Sequence, residues 1–295
     1  MQDKPLKNVL IVGCGYIGRR VSARLLPEKN MVSGVVRSPD SVEKLAEAGI
    51  RAIGADLDRL PPDIDWGSSP ADVFYFAPPP ASGEQDLRMR AFLASLRGRL
   101  AVRRCVYIST SAVYGDCHGD WITENQPTAP TTARGWRRLD AEQQLRAWCD
   151  DNAAQWMILR VPGIYGPGKL PLARLRKGLP VLREQDAPYT NRIHADDLAD
   201  ICIAAMQSKL GNEVYNVSDG QPGNMTDYFF RVADAAGLPR PPQVDREEAA
   251  SVLSAGMLSF LNDSRRMDNS KLLHELEVEL RYPGLAAGLE SCFSE

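Results

Sequence analysis

Apolar positions along the first half of the chain fall into two alternating patterns, short β-branched runs and longer stretches with an apolar residue every third or fourth place. Asn8 to Val12 predicts a strand, and Tyr16 to Leu26 a helix that stops at Pro27. Met31 to Val36 predicts a second strand. The helix after it is punctuated at both ends, by Ser38 as N-cap with Pro39 in the first turn and by Gly49 just past the end. Ala71 to Ala77 reads as a strand running into Pro78-Pro79-Pro80, and Ser82, three residues ahead of Gln85, as a capping box. The helix behind it places Met89, Phe92, Leu93, Leu96 and Leu100 on one face. Arg104 to Ser109 and Trp156 to Arg160 complete the strands of this half.

Strands alternating with helices predict an α/β fold, a Rossmann-type doubly wound parallel sheet with helices on both faces. Beyond about Gly168 the pattern loosens, with prolines and glycines clustered at Pro167 to Pro171, Gly220 to Gly223 and Gly237 to Pro242. Asp196 to Met206 still reads as a helix and Glu213 to Val217 as a strand. The expected organisation is a sheet domain over residues 1–168 and a smaller C-terminal lobe over 169–295, with 193–217 returning to the sheet domain.

Composition narrows the function classes. The 295 residues are 44% hydrophobic and 25% charged, which is ordinary for a folded domain. No apolar run approaches the roughly 18 residues of a membrane span. The opening Met-Gln-Asp-Lys-Pro carries no secretory pattern, so a cytoplasmic location is expected. A net charge of −3 offers no basic footprint for nucleic acid. Six scattered cysteines without a C-x-x-C, and three histidines without an H-E-x-x-H, predict neither a disulfide framework nor a metal site.

The first strand is followed at once by Gly13-Cys14-Gly15-Tyr16-Ile17-Gly18 and a helix, which is the context a G-x-G-x-x-G string needs to bind a dinucleotide. Gly13 permits the turn, Gly15 lets backbone approach a pyrophosphate, and Gly18 allows close helix-to-strand packing. The helix N-terminus, with Tyr16 and Ile17, supplies free N–H groups. The second strand ends in Val35-Val36-Arg37-Ser38, with no carboxylate until Asp40. A carboxylate there favours the ribose of NAD, and an arginine favours the 2′-phosphate of NADP. Arg37 and Ser38 therefore predict NADP, with NAD as the alternative if Arg37 is a solvated strand-end charge.

Four later strings, in order, resemble the extended short-chain dehydrogenases/reductases, the NAD-dependent epimerase/dehydratase group. They are Val106-Tyr107-Ile108-Ser109-Thr110-Ser111-Ala112-Val113-Tyr114-Gly115, Leu159-Arg160-Val161-Pro162-Gly163-Ile164-Tyr165-Gly166-Pro167-Gly168, Asn191-Arg192-Ile193-His194-Ala195-Asp196-Asp197-Leu198-Ala199, and Val214-Tyr215-Asn216-Val217-Ser218-Asp219-Gly220. The resemblance implies that Asp56 and Leu57 hold the adenine, and that Ala77, Pro78 and Pro79 line the nicotinamide half. It also implies that Thr110 is the hydroxyl facing the reacting oxygen. The other reading of Thr110 and Ser111 is strand-end backbone bonding.

The family's proton-transfer pair, a Tyr and a Lys four apart on one helix, is missing. Alignment through Ala141-Glu142 puts Arg134 at the tyrosine position and Arg138 at the lysine position. An arginine stays protonated and cannot serve as a general base. Losing acid–base catalysis typically forfeits about 10²- to 10⁴-fold in rate. Arg134 and Arg138 share one helix face and predict an anion clamp, for a substrate carboxylate or phosphate or for the cofactor. The alternative is a solvated face pairing with Asp140 or Glu142. Tyr165-Gly166-Pro167-Gly168-Lys169 repeats the Y-x-x-x-K spacing, but its glycines and proline argue against a helix. Tyr114 is the first candidate for a replacement proton carrier, ahead of His118 beside Asp116, whereas His194 is expected to cap a helix. Glu124 has no assigned role.

The lobe after the Tyr-Gly-Pro loop encloses substrate in the family. Here Arg174, Arg176, Lys177 and Arg183 give it positive charge, and Arg192 precedes the helix facing the cleft. They suit a small anionic substrate such as a nucleotide diphosphate, or else form a solvated face. The leading expectation is an NADP-dependent oxidoreductase or epimerase/dehydratase-like enzyme, acting on a carbonyl or nucleotide-sugar-type substrate through an atypical site. The alternative is an NADP(H)-binding regulator or scaffold without turnover. No nucleic-acid or membrane partner is expected. A homodimer through the helices of 84–150, with Trp136 and Trp148, is the oligomer the resemblance suggests.

Overall fold

A computed structural model describes residues 8–293 apart from 62, 68 and 69. The opening pentapeptide, read above as free of a leader, lies outside these residues. Six strands of the central sheet come from residues 8–161: β1 (Asn8–Val12), β2 (Met31–Val36), β3 (Arg51–Gly54), β4 (Ala71–Tyr75), β5 (Val102–Thr110) and β6 (Gln155–Val161). The seventh, β7 (Glu213–Asn216), follows later in the chain. They form one sheet in the order β7-β6-β5-β4-β1-β2-β3, every pair parallel. A Rossmann-type α/β fold follows directly from this topology.

Parallel strands are covered on both faces, which is why these runs are almost continuously apolar. Side chains alternate across the sheet. Val9, Ile11, Phe74, Val106 and Leu159 meet one layer of helices, including α1 (Tyr16–Leu25). On that face α1 packs beside a helix from the later part of the chain, Ala195–Gln207. Leu10, Val73, Tyr75, Tyr107 and Ile158 meet the other layer. There Met89, Phe92 and Leu96 come from Leu87–Leu96, and Ala141, Leu145 and Trp148 from Ala133–Asp151. With Pro39–Glu47, these helices are labelled α2 (Pro39–Glu47), α3 (Leu87–Leu96), α4 (Ala133–Asp151) and α5 (Ala195–Gln207). Ile193, Leu198 and Val217 belong to the core of the first face, whereas Leu175, Leu182, Phe229, Val232 and Leu289 form a separate apolar cluster. That cluster includes α6 (Met225–Ala235) and is bordered by α7 (Ala255–Leu261).

Local chemistry sets several boundaries. Ser38 caps α2 by accepting from Ser41 N at 3.3 Å, and Gly49 follows the helix at φ +75. Two expectations are corrected on the way to α3. β4 ends at Tyr75, short of Ala77; Phe76 N still bonds Val12 O, and the prolines beyond lack donors to continue a ladder. The cap of α3 is Asp86 rather than Ser82: its carboxylate accepts from Met89 N at 3.0 Å while its own N–H donates to Asp140 of α4 at 2.7 Å. Contact with α4 thus selects the cap. Leu100 lies beyond the helix, past Gly98 at φ +69, and still joins the core. Trp148, suggested as an interface residue, is buried in that core, while Trp136 is exposed.

Candidate functional site

The turn after β1 is shaped by its neighbours. Gly13 has φ +84, and a Cβ there would stand 2.5 Å from Ala77 N, so the turn tolerates no side chain. Gly13 N and Cys14 N both donate to Val35 O, at 3.1 and 3.0 Å. No atom lies within 4 Å of where a Cβ on Gly15 would be, which leaves the backbone open on that side. A Cβ on Gly18 would meet Ile11 Cγ2 at 3.1 Å, so this glycine lets α1 lie close on β1. No side chain caps α1 and no acidic residue sits in its first turn, so its first N–H groups are free for an anion.

A cleft of about 710 Å³ opens from this turn. Gly13, Gly15, Tyr16 and Ile17 form one wall; Arg37 and Ser38, with Ser41, stand at the end of β2. Asp56 and Leu57 line it after β3, and Ala77 and Pro78 after β4. Gly18 and Pro79 do not line it: Gly18 faces the β1 packing, and the Pro79 carbonyl accepts from Arg88 at 3.3 Å. Arg88, which the sequence did not single out, ties this loop to the one after β3 through Asp58 (2.6 and 2.7 Å), holding the Asp58 carboxyl below its ordinary pKa. Asp56 is the sole carboxylate on the wall among the described residues, and its Oδ1 accepts from Asp58 N at 3.1 Å. An uncapped helix end, open backbone at Gly15 and a basic strand end suit a phosphorylated dinucleotide.

Beside the cleft lies a second cavity of about 480 Å³, and Ile164 lines both. Helix α4 serves the two spaces with residues one turn apart. Its Thr132 cap accepts from Gly135 N at 3.1 Å, and a Cβ on Gly135 would stand 2.8 Å from Ala112 O, so the helix start lies against the turn that follows β5. Arg138 lines the first cleft and is held there, donating to Tyr107 Oη at 3.2 Å and Ile108 O at 3.0 Å. Arg134 lines the second cavity. Its guanidinium stacks on Phe260 at 4.1 Å from the ring centroid, its Nε is buried without a partner, and burial lowers its pKa. The expected single clamp is therefore divided between two spaces. Neither arginine pairs with Asp140 or Glu142. Glu142 instead takes Arg160 (2.8 and 3.2 Å) and Ser109 Oγ (2.6 Å), and Asp140 takes Asp86 N and Gln144.

Thr110 and Ser111 line the second cavity, and Thr110 Oγ1 also accepts from Ala112 N at 3.3 Å. Tyr114 requires correction as a proton carrier. It is buried and lines neither space, its hydroxyl donates to Asn216 Oδ1 at 2.7 Å, and burial pushes its pKa up to about 12. His118 is exposed and pairs with Asp116, and Glu124 accepts from Asn216 N. His194 caps α5, its Nδ1 accepting from Asp196 N at 3.2 Å while Nε2 meets Ser291 Oγ at 3.1 Å. Tyr165 and Lys169 share no helix: Tyr165 is buried at a strand end, and Lys169 edges the first cleft. Of the lobe's basic residues, Arg192 alone among those named reaches the second cavity. Arg174 donates to Pro180 O, Arg183 pairs with Asp245, and Arg176 and Lys177 are exposed. The cavity also holds Arg265, paired with Asp263 at 3.4 Å, and the phenols of Tyr189 and Tyr228, none of which the sequence singled out for chemistry.

All six cysteines are unpaired, and the described residues contain no cluster of metal-ligating side chains and no helix long and apolar enough to cross a membrane.

Comparison with known proteins agrees with this geometry. The chain is 27% identical to protein YeeZ of Escherichia coli strain K12, over 94% of this chain and 97% of that protein. It is 27% identical to the 2′-dehydrokanamycin reductase of Streptomyces kanamyceticus, over 90% and 77%. A conserved protein of unknown function from Silicibacter pomeroyi superposes with a TM-score of 0.82 at 32% identity, covering 97% of this chain and 98% of that one. MoeE5 in complex with UDP-glucose and NAD shares the fold at a TM-score of 0.75 and 22% identity, with 96% of each chain covered. The profile of the NAD-dependent epimerase/dehydratase family matches residues 9–218. The chain belongs to the NAD-dependent epimerase/dehydratase family.

Proposed function

We propose that the chain is an NADP(H)-dependent oxidoreductase or epimerase/dehydratase-type enzyme whose substrate occupies the second cavity, with Arg134 and Thr110 at the reacting oxygen. The observation that carries this reading is the meeting of the two spaces at Ile164, with α4 presenting Arg138 to one and Arg134 to the other. A bound nicotinamide dinucleotide supplies hydride exchange. Gly13, Gly15 and the start of α1 would hold its pyrophosphate, and Asp56 and Leu57 would flank one end and Ala77 and Pro78 the other. Arg37 makes no ion pair among the described residues and, with Ser38, takes the 2′-phosphate.

The chain's own chemistry then follows. Arg134 is a fixed cation that stabilises negative charge developing on a substrate oxygen and exchanges no proton with it. Thr110 spends a lone pair on Ala112 N and keeps its O–H to donate. Proton exchange is left to water or to Tyr189 and Tyr228 on the cavity wall. A reductase among the relatives and a nucleotide-sugar complex among the structural neighbours support a carbonyl or nucleotide-sugar-type substrate.

Titration of NADPH fluorescence is expected to show binding about ten-fold or more tighter than for NADH, and Arg37→Ala is expected to abolish the preference. Equal affinity for the two coenzymes would remove the NADP assignment. The enzymatic reading expects a change in nicotinamide absorbance or in isomer ratio with a member of a carbonyl and nucleotide-sugar panel. The missing Tyr–Lys couple favours one other reading, a dinucleotide-binding regulator. It expects tight NADPH binding, no turnover across the panel, and a partner whose affinity follows the redox state.

A further inference from the structure

We infer that the second cavity takes a carbonyl compound with a neutral, aromatic body, and that a sugar is the poorer fit. The inference rests on the reading of that cavity as the substrate site, and it names the class of substrate the site admits.

Much of the wall has no hydrogen bond to give. Met225 and Phe229 come from α6, Met257 and Phe260 from α7, and Pro162 and Ile164 from the chain just after β6. Met225 and Phe229 belong to the separate apolar cluster and Met257 packs on it, so this side of the cavity is an open edge of a hydrophobic core. Aromatic rings and thioethers make favourable contacts with a further ring.

The neutral polar side chains around the space are largely spent on the protein. Asn191 is buried and uses both ends of its amide, donating to Arg265 O at 3.1 Å and accepting from Met267 N at 2.8 Å. Thr190 donates to Gly223 O at 3.3 Å, and Ser259 to Gly256 O at 2.8 Å. Asp263, the one carboxylate on this wall among the described residues, accepts from Thr131 Oγ1 at 2.8 Å and pairs with Arg265. Thr110, Ser111 and the phenols of Tyr189 and Tyr228 are left for a ligand, which suits one reacting oxygen. A sugar brings several hydroxyls, each a donor in need of an acceptor. One stranded against methionine and phenylalanine weakens binding about ten-fold.

The two arginines without a carboxylate partner lie against rings, Arg134 on Phe260 and Arg192 on Tyr228 at 4.2 Å from the centroid. Arg192 is also folded back over the strand beside it, Gly163–Tyr165. Its register partner there is Gly163, where a Cβ would stand 2.6 Å from the Arg192 Nη1. Aromatic faces thus meet both charges where carboxylates would otherwise stand, and a flat conjugated ligand extends the same surface of rings.

The test is isothermal calorimetry on NADP⁺-loaded protein, in which a ketone binds without being reduced. The probes are 2-acetonaphthone, 4-phenyl-2-butanone, UDP-glucose and methyl glucoside. At least one aromatic ketone is expected to bind about ten-fold or more tighter than either sugar. Met257→Gln, which sets an amide on the wall, should weaken that ketone about ten-fold and Met257→Leu much less, with NADP⁺ affinity unchanged in both. A sugar that binds tighter than both ketones would overturn the inference and leave the substrate site standing. No binding by any probe, or ketone binding indifferent to Met257→Gln, would overturn it as well. Ketone binding that responds to Met257→Gln, with no change in nicotinamide absorbance once NADPH is supplied, would uphold the aromatic site and sink the enzymatic reading instead.

Discussion

Tyr114 shows how much a single side chain's meaning depends on residues far away in the chain. From its place behind β5 it looks ready to face a ligand; its hydroxyl in fact reaches Asn216, 102 positions on, inside the protein. Tyr114→Phe is expected to lower stability by about 1–2 kcal/mol, through the unsatisfied Asn216 oxygen, and to leave NADPH binding unchanged. Chemical melts and fluorescence titration separate the two effects. Arg160 sits beneath α4 on Glu142, both buried, so Arg160→Ala leaves that carboxylate only Ser109 Oγ and Arg146 at 3.7 Å and is expected to cost about 3 kcal/mol in the same melts. Asp219 is a third case. Its Oδ2 is buried without a partner, and burial pushes its pKa from the ordinary 3.8 up to about 6. Between those values the folded protein holds a proton that the unfolded chain has released, so this residue's contribution to stability falls as pH rises from about 4 to 6. Asp219→Asn keeps an acceptor for Gln221 and is expected to flatten that slope. At pH 7.5 the gain is up to about 3 kcal/mol, read by urea melts at pH 4.5 and 7.5.

The elements were the most legible level. Strands β1, β2 and β5 and helices α1, α2 and α5 announce themselves because a parallel strand buried on both faces is a dense apolar run and because Ser38, Pro27 and Gly49 act on their immediate neighbours. What sequence could not place was whatever depends on another element. The start of α3 moved from Ser82 to Asp86 because Asp140 of α4 accepts the Asp86 N–H. The phosphate turn was readable because its string stands between β1 and α1, where Gly18 lets the helix lie on Ile11 and Gly15 leaves the backbone open; only the contact of Gly13 with the loop after β4 comes from farther along the chain. Helix α4 itself depends on its N-terminal cap. Thr132→Ala is expected to lower stability by about 1 kcal/mol and, by loosening the first turn, to weaken probe binding in the second cavity more than NADPH binding in the first.

Across the whole molecule, the two spaces are joined by one side chain, Ile164, and one rigid helix, α4. Sequence named the part of the cleft wall that stands at the carboxyl ends of strands, such as Gly13, Arg37, Asp56 and Ala77, and missed Ser41 and Arg88, which helices α2 and α3 bring to it. It named the second cavity poorly: Arg192 was one of five basic residues with equal claim, and its distinction comes from the partner strand beside it. That partnership carries an evolutionary constraint. A methyl group at position 163 would come within 2.6 Å of the Arg192 Nη1, so the arginine would have to leave its place over the partner strand. Among descendants of a common ancestor the two columns should change together, Gly with Arg, or a larger residue at 163 with a shorter one at 192.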